Sequence, residues 1–134
     1  EEVRRVCKSG AVMAAICYGL LRIDPEIDRQ VDQLYGEVLA ADWPPERQHV
    51  ENAYASLPFP FPAIRAPNFQ MRERWSLDHL LGYLATWSAK VRYQTRTGVD
   101  PLEEAAPRIR NAWGPAEQSR RVEWRLQIKA GRVD

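Results

Sequence analysis

The segment Ala11–Tyr18, with the sequence AVMAAICY, decides the fold class of this chain. An uninterrupted apolar run of this length is typical of a strand that is buried on both faces, and such strands usually belong to parallel sheets. The residues before it, Glu1–Cys7, read as the end of a helix, and Lys8-Ser9-Gly10 supplies a basic end and a glycine stop. We therefore expect the chain to pass from a helix directly into a buried strand.

Three stretches after this strand carry helix signals. Asp24-Pro25 is an N-cap followed by proline, and apolar residues then recur at helical spacing up to about Ala40. Ser76 caps a second helix, which Gly98 ends. Asp100-Pro101 opens a third, in which Pro107 predicts a kink or a split.

Two further strands complete the pattern. Apolar residues fall at even spacings over 69–75, and they alternate with polar residues throughout 121–130. The prediction is an α/β fold in one domain, residues 1–134. It has a mixed three-stranded sheet (about 11–18, 69–75 and 121–130), inserted helices and an antiparallel strand near its edge.

Composition excludes several classes of protein. The chain has 134 residues and a formal net charge of +1 with scattered basic residues, so no nucleic-acid partner is expected. It has no apolar run near the ~20 residues that cross a bilayer and no secretory signal, which predicts a cytoplasmic protein without a membrane partner. Two cysteines are too few for a disulfide framework, and Cys17 is expected to pack as a small apolar side chain.

The segment Glu2–Val12 (EVRRVCKSGAV) resembles one that precedes the fifth sheet strand of class I S-adenosylmethionine-dependent methyltransferases. The stretch Trp75–Leu84 (WSLDHLLGYL), then Thr86–Ala89 (TWSA), Arg92-Tyr93 and Ala112–Gly114 (AWG), is similar to the C-terminal part of a subgroup. That subgroup includes the trans-aconitate methyltransferases and the methyltransferase type 11 proteins. The resemblance spans nearly the whole chain, although Ser9-Gly10-Ala11 stands where the family usually has Pro-Gly-Gly and Cys7 where it usually has Leu.

The resemblance implies the C-terminal part of a Rossmann-like methyltransferase fold, with strands that correspond to the fifth, sixth and seventh. In that fold the seventh strand runs antiparallel between the other two. The family holds its cofactor with a glycine-rich loop, but the glycines here (10, 19, 36, 82, 98, 114 and 131) never fall two apart. We therefore expect S-adenosylmethionine in the intact enzyme, no cofactor-binding residue in this chain, and a gene product that begins before Glu1, which is not a methionine.

Ligands of open α/β sheets lie beyond the carboxyl ends of the strands, which here indicates Tyr18. Its hydroxyl could bond a methyl acceptor, or the ring could simply be core. Trp87, Ser88, Arg92 and Tyr93 form a second group, in which Arg92 could pair with a substrate carboxylate. The alternative is structural, because Trp87 lies on an apolar helix face and an arginine near a helix end needs no ligand. His49 and His79 lack neighbouring acids at ligand spacing, so no metal site is predicted, and no catalytic residue can be named.

Two functions remain open. The first is a fragment of a methyltransferase that acts on a small molecule, with a carboxylic acid as one candidate, and the fragment alone would be inactive. The second is a non-catalytic interaction or subunit module that completes its sheet with a partner chain. In either case the open edge of the strand at 11–18 predicts that the isolated chain self-associates. The alternating Pro58–Pro62 segment fits a pocket wall or lid and a packed strap equally well.

Overall fold

The computed structural model describes all residues from Glu1 to Asp134. The strands are β1 (Val12–Tyr18), β2 (Ala63–Ile64), β3 (Gln70–Trp75) and β4 (Arg120–Arg132). The α-helices are α1 (Glu2–Val6), α2 (Pro25–Gln33), α3 (Arg47–Glu51), α4 (Leu77–Ala85), α5 (Ser88–Thr97) and α6 (Leu102–Trp113). No helix combines the length and the apolar character that a membrane span requires. The predicted α/β class is confirmed.

β4 is the central strand of the sheet. It pairs antiparallel with β1, from Val12 opposite Arg132 to Tyr18 opposite Leu126, and it also pairs with β2 and β3. The Leu126 N–H donates to the Phe69 carbonyl at 3.1 Å where β4 meets the chain just before β3. The position that the resemblance implies for the last strand, antiparallel and between the others, is confirmed, whereas the position near the sheet edge expected from the pattern is wrong, because β4 has neighbours on both sides. β2 was not predicted, because a two-residue strand among prolines has no periodicity to reveal it.

The prediction that β1 is buried on both faces within a parallel sheet is wrong. Only one face is covered: Val12 and Ile16 are each 55% exposed and Tyr18 is 44% exposed, while Cys17 on the other face is buried. β4 covers one edge of β1 through antiparallel pairing. An apolar run predicts a strand well, but it does not show which face of that strand is covered by other parts of this chain.

Local signals explain where the helices begin and why two of them are shorter than predicted. Asp24 caps α2 as expected, because its carboxylate accepts from the Glu26 and Ile27 N–H groups at 3.1 Å each. The regular helix then ends at Gln33, and the chain continues as a π-helical turn (Leu34–Val38) and a 3₁₀ turn (Ala40–Asp42).

The long helix expected after Ser76 is two helices, α4 and α5. The Thr86 hydroxyl donates to the Tyr83 carbonyl at 2.7 Å, and Trp87 adopts an extended backbone that starts a new helix at Ser88. The last helix, α6, runs through Pro107 without the predicted split.

The chain clusters into two compact units. The first, here called the sheet unit, contains Glu1–Leu20, Glu46–Met71 and Trp124–Asp134; the second, the helical unit, contains Leu21–Pro45 and Arg72–Glu123. The single domain expected from sequence stays a prediction. In the helical unit α6 packs against α2 and α4 around a core of fully buried side chains. That core includes Leu21, Ile27, Val31, Leu34, Leu39, Leu80, Leu84, Ile109, Trp113 and Val122.

The Pro58–Pro62 segment of the sheet unit is both a packed strap and a cavity wall. The Phe59 and Phe61 rings meet edge to face with centroids 5.4 Å apart. A Cβ atom on Gly131 of β4 would lie 2.8 Å from Phe59 Cε1 and 2.8 Å from Phe61 Cβ, so the strap uses the space that glycine leaves open. Four residues of the strap, from Pro58 to Phe61, also line a cavity.

Candidate functional site

Four aromatic side chains follow one another at a spacing of four residues in the helical unit: Trp75, His79, Tyr83 and Trp87. His79 and Tyr83 lie on the same face of α4, which the Ser76 cap starts, while Trp75 ends β3 before the helix and Trp87 follows it. The His79 imidazole stacks on Trp75, with centroids 4.4 Å apart and planes 10° apart. Tyr83 lies 5.1 Å from Trp75 and 6.1 Å from Trp87. The repeat in the sequence therefore becomes a continuous line of rings.

Two rings from the segment after α2 extend this line at Trp87. The Tyr35 centroid lies 5.7 Å from Trp87 at 84°, and the Trp43 centroid lies 5.5 Å from it. Trp43 also donates its indole N–H to the Tyr35 carbonyl at 3.0 Å. We call these six residues the aromatic row. Trp75 and Trp87 are buried, whereas the other four keep part of their surface in solvent, so the row is partly accessible.

The two arginines of α5 differ in their partners. Arg96 holds Asp42 in a two-point ion pair, with Nε and Nη2 at 3.0 and 2.7 Å from the two carboxylate oxygens. This hydrogen bonding lowers the pKa of the buried Asp42 against the effect of burial, and the charge of Arg92 lowers it further. Arg92 itself is exposed and acts on Asp42 through its charge, without a hydrogen bond or ion pair to it. Its N–H donors are therefore available to an anion.

Four of the five predicted site residues belong to the helical unit, and the fifth, Tyr18, belongs to the sheet unit. Ser88 and Arg92 are both exposed and lie one turn apart on α5. Trp87 belongs to the aromatic row, and Tyr93 is half-buried beneath the Arg96 guanidinium, 5.3 Å from the ring centroid. Tyr18 lies in the sheet unit, where its ring meets Trp124 edge to face at 6.5 Å.

The remaining reactive side chains have structural partners. Burial raises the pKa of the Cys17 thiol, against smaller opposing effects from a hydrogen bond with Tyr54 and the charge of Arg47. Cys17 is 6% exposed, which confirms that it packs in the core. His49 Nδ1 lies 3.1 Å from the Ser56 hydroxyl. No group of three or more histidine, cysteine or acidic side chains lies close enough to hold a metal ion.

The glycines of this chain do not form a cofactor cradle. Gly98 and Gly114, with φ of 77° and 79°, end α5 and α6, and Gly131 lies beneath the strap. Gly36 and Gly82 lie inside helical segments, and Gly19 stands alone after β1. A nucleotide cradle needs several backbone N–H groups gathered by closely spaced glycines at a strand end. The residues present therefore do not fit S-adenosylmethionine by themselves.

Comparison with known proteins indicates the relationship. A solved structure from Anaeromyxobacter dehalogenans, described as a candidate type II methyltransferase, is 56% identical to this chain and superimposes with a TM-score of 0.93 over 98% of it. This chain is therefore similar to proteins that are described as candidate methyltransferases. A Dictyostelium discoideum protein named as a candidate methyltransferase is 23% identical over 116 residues, or 84% of the chain. No protein-family profile matches the sequence. The chain spans about half the length of these methyltransferase relatives, 56% and 44% respectively.

Sequence reasoning missed most of the aromatic row. The spacing of four from Trp75 to Trp87 could have revealed four of its members, because that repeat is visible in the letters alone. Tyr35 and Trp43 could not have been found in this way, since they approach Trp87 only through the tertiary fold.

Proposed function

We propose that this chain is the acceptor-binding portion of an S-adenosylmethionine-dependent methyltransferase that acts on a small molecule, with a carboxylic acid as the acceptor class. The observation that carries the reaction type is the 56% identity, over nearly the whole chain, to a protein described as a candidate methyltransferase. The acceptor class rests on Arg92, whose exposed guanidinium group has N–H donors available on the helix that follows Trp87. Arginine binds planar carboxylates through two parallel hydrogen bonds, which fixes their orientation as well as their position.

Alignment is the main contribution that a protein makes to methyl transfer, because the reaction is an in-line displacement. In this proposal Arg92 holds the acceptor carboxylate, Ser88 offers a hydroxyl one turn away, and the accessible part of the aromatic row takes the apolar part of the acceptor. Asp42 occupies Arg96, so the two arginines of α5 do not compete for the same anion.

S-adenosylmethionine supplies the methyl group in reactions of this class, and this chain has no cradle for it. We therefore propose that the donor is held by a part of the parent protein outside Glu1–Asp134 and that this chain alone neither binds the donor nor turns over. Calorimetric titration of S-adenosylmethionine onto the isolated chain should give no saturable heat. A dissociation constant in the micromolar range would overturn this part of the proposal.

The acceptor site is tested in the parent protein by comparing Arg92→Gln with Arg110→Gln. Arg110 is an exposed arginine on α6 of the same unit, so it controls for the loss of one surface charge. With a panel of carboxylic acids and labelled donor, Arg92→Gln should raise KM for the acceptor about tenfold or more, and Arg110→Gln should leave it unchanged. Equal KM values for the two variants would remove Arg92 from the site.

A second candidate function is a non-catalytic module that completes its sheet with a partner chain. It is favoured by the position of β1, which pairs with β4 along one edge, has no strand along the other, and exposes apolar side chains on one face. Strand edges of this kind accept further strands readily. Donor binding and methyl transfer by the parent protein would exclude this candidate, whereas a parent that forms a stoichiometric complex and transfers no methyl group would favour it.

A further inference from the structure

The sheet unit contains a cavity that the proposed function does not use. Its volume is about 540 Å³, which is within the range of small-molecule sites, roughly 300–1,000 Å³. Met13 and Ala15 of β1 line one wall, and Phe59 and Phe61 of the strap line another. These walls are apolar, so the cavity suits the hydrocarbon part of a ligand.

Lys129 of β4 is the basic residue among those that line the cavity. Its ammonium group donates to the Tyr54 carbonyl at 2.9 Å and to the Leu57 carbonyl at 2.8 Å, and it lies 5.7 Å from the Phe59 ring centroid. These partners are neutral, and no carboxylate lies within ion-pair distance of it. An ammonium group has three N–H donors, so one donor remains available, and the half-buried positive charge has carbonyl and ring contacts but no anionic partner.

The backbone beside Lys129 is held in an unusual conformation. Ala53 and Tyr54 have φ of 54° and 61°, in the left-handed region that residues other than glycine rarely adopt. The Tyr54 N–H donates to the His49 carbonyl at 2.7 Å, and the Lys129 bonds hold the other end of the turn. Backbone strain of this kind tends to persist at ligand-binding positions, where the surrounding contacts fix it. Tyr54 also lines the cavity.

We propose that this cavity binds an apolar monocarboxylate, an alkyl or aryl acid whose carboxylate accepts the third N–H of Lys129 while its hydrocarbon part lies between β1 and the strap. The carboxylate would give this ammonium group the anionic partner that it lacks, through a charge-assisted hydrogen bond. Glu1 also lines the cavity, but it is exposed and forms no ion pair with Lys129. The site is distinct from Arg92 and does not depend on the proposed methyltransferase function.

Adjacent alanines of β1 provide a matched pair of variants. Ala15 lines the cavity, whereas Ala14 is exposed and does not. The Ala15→Leu variant should fill part of the cavity and weaken binding of the probe octanoate at least about tenfold, because the lost space cannot be recovered in a packed wall. The Ala14→Leu variant adds the same side chain to the same strand and should bind octanoate like the unchanged chain.

Calorimetry with octanoate and 1-octanol tests the carboxylate requirement on the unchanged protein. Octanoate should bind saturably with one site per chain, and the alcohol should bind about tenfold more weakly or worse, because a charged hydrogen bond is lost. Absence of saturable octanoate binding would overturn the proposal, as would equal affinity for the two ligands or equal losses in the two alanine variants. The outcome is separate from that of the Arg92 experiment, since neither readout involves methyl transfer.

Discussion

At the scale of single residues, the Asp42–Arg96 pair shows how one contact makes stability depend on pH. The two residues are 54 positions apart, and Asp42 is 7% exposed. The Arg96 hydrogen bond lowers the pKa of Asp42 below its ordinary value of 3.8. A carboxyl group whose pKa is lowered by folding stabilises the protein above its unfolded pKa, and this contribution is lost as the pH falls through the folded pKa.

We therefore expect Asp42→Asn to lower the free energy of unfolding at pH 7 and to approach the unchanged chain in stability at pH values below 3.8. Asp32→Asn is the control, because Asp32 pairs with Arg22 on the surface and such pairs contribute only about 0–1 kcal/mol. Urea unfolding at several pH values measures both variants. A deficit for Asp42→Asn that stays constant from pH 7 to pH 3 would contradict the assignment.

The same residues show what sequence alone could give. His79 stacks on Trp75 across the Ser76 cap, since Trp75 ends β3 and His79 lies in the first turn of α4; the spacing of four between the two rings is visible in the sequence. The pairing of Asp42 with Arg96 is not visible there, because the contact depends on how the turn after α2 packs against α5. Likewise, the sequence does not distinguish Arg92 from Arg96. Only the tertiary fold shows that Arg96 forms an ion pair with Asp42.

At the scale of elements, the contact between the strap and β4 depends on the absence of one side chain. We expect Gly131→Ala to destabilise the chain by about 1–3 kcal/mol, because the added methyl group would overlap Phe59 and Phe61. Gly82→Ala is the matched control, since Gly82 lies within α4 with open space around its Cβ position. It should be neutral or stabilising by up to about 1 kcal/mol. Thermal unfolding of both variants checks this; a neutral Gly131→Ala would mean that the strap moves aside freely.

The elements also differ in how well their patterns predicted them. The last strand was found within two residues at each end because its alternation is a property of the strand itself. The long helix after Ser76 was predicted as one piece because both halves have helical periodicity, and the break at Trp87 arises from local capping by Thr86. β1 was correctly predicted as a strand, but the prediction that both of its faces are buried was wrong. Burial depends on tertiary neighbours, which the sequence of the strand does not specify.

At the scale of the whole molecule, the exposed face of β1 predicts self-association of the isolated chain. Ile16 is 55% exposed on this face, and Val91 is 54% exposed on α5, so the two expose similar fractions of an apolar side chain in different settings. If pairing occurs through β1, Ile16→Lys should shift the chain toward the monomer, whereas Val91→Lys should not. Light scattering over a range of concentrations measures the mass. A monomer at all concentrations for the unchanged chain would refute the prediction.

The aromatic row gives this protein an optical reporter of its own. Three of the five tryptophans, Trp43, Trp75 and Trp87, lie in that row, in fixed orientations against other rings. Indole transitions held this close should couple, so near-ultraviolet circular dichroism will be dominated by this one surface. An acceptor that binds to the aromatic row should change both the circular dichroism and the tryptophan emission. Unlabelled acceptors can therefore be screened by these two signals without an assay of methyl transfer.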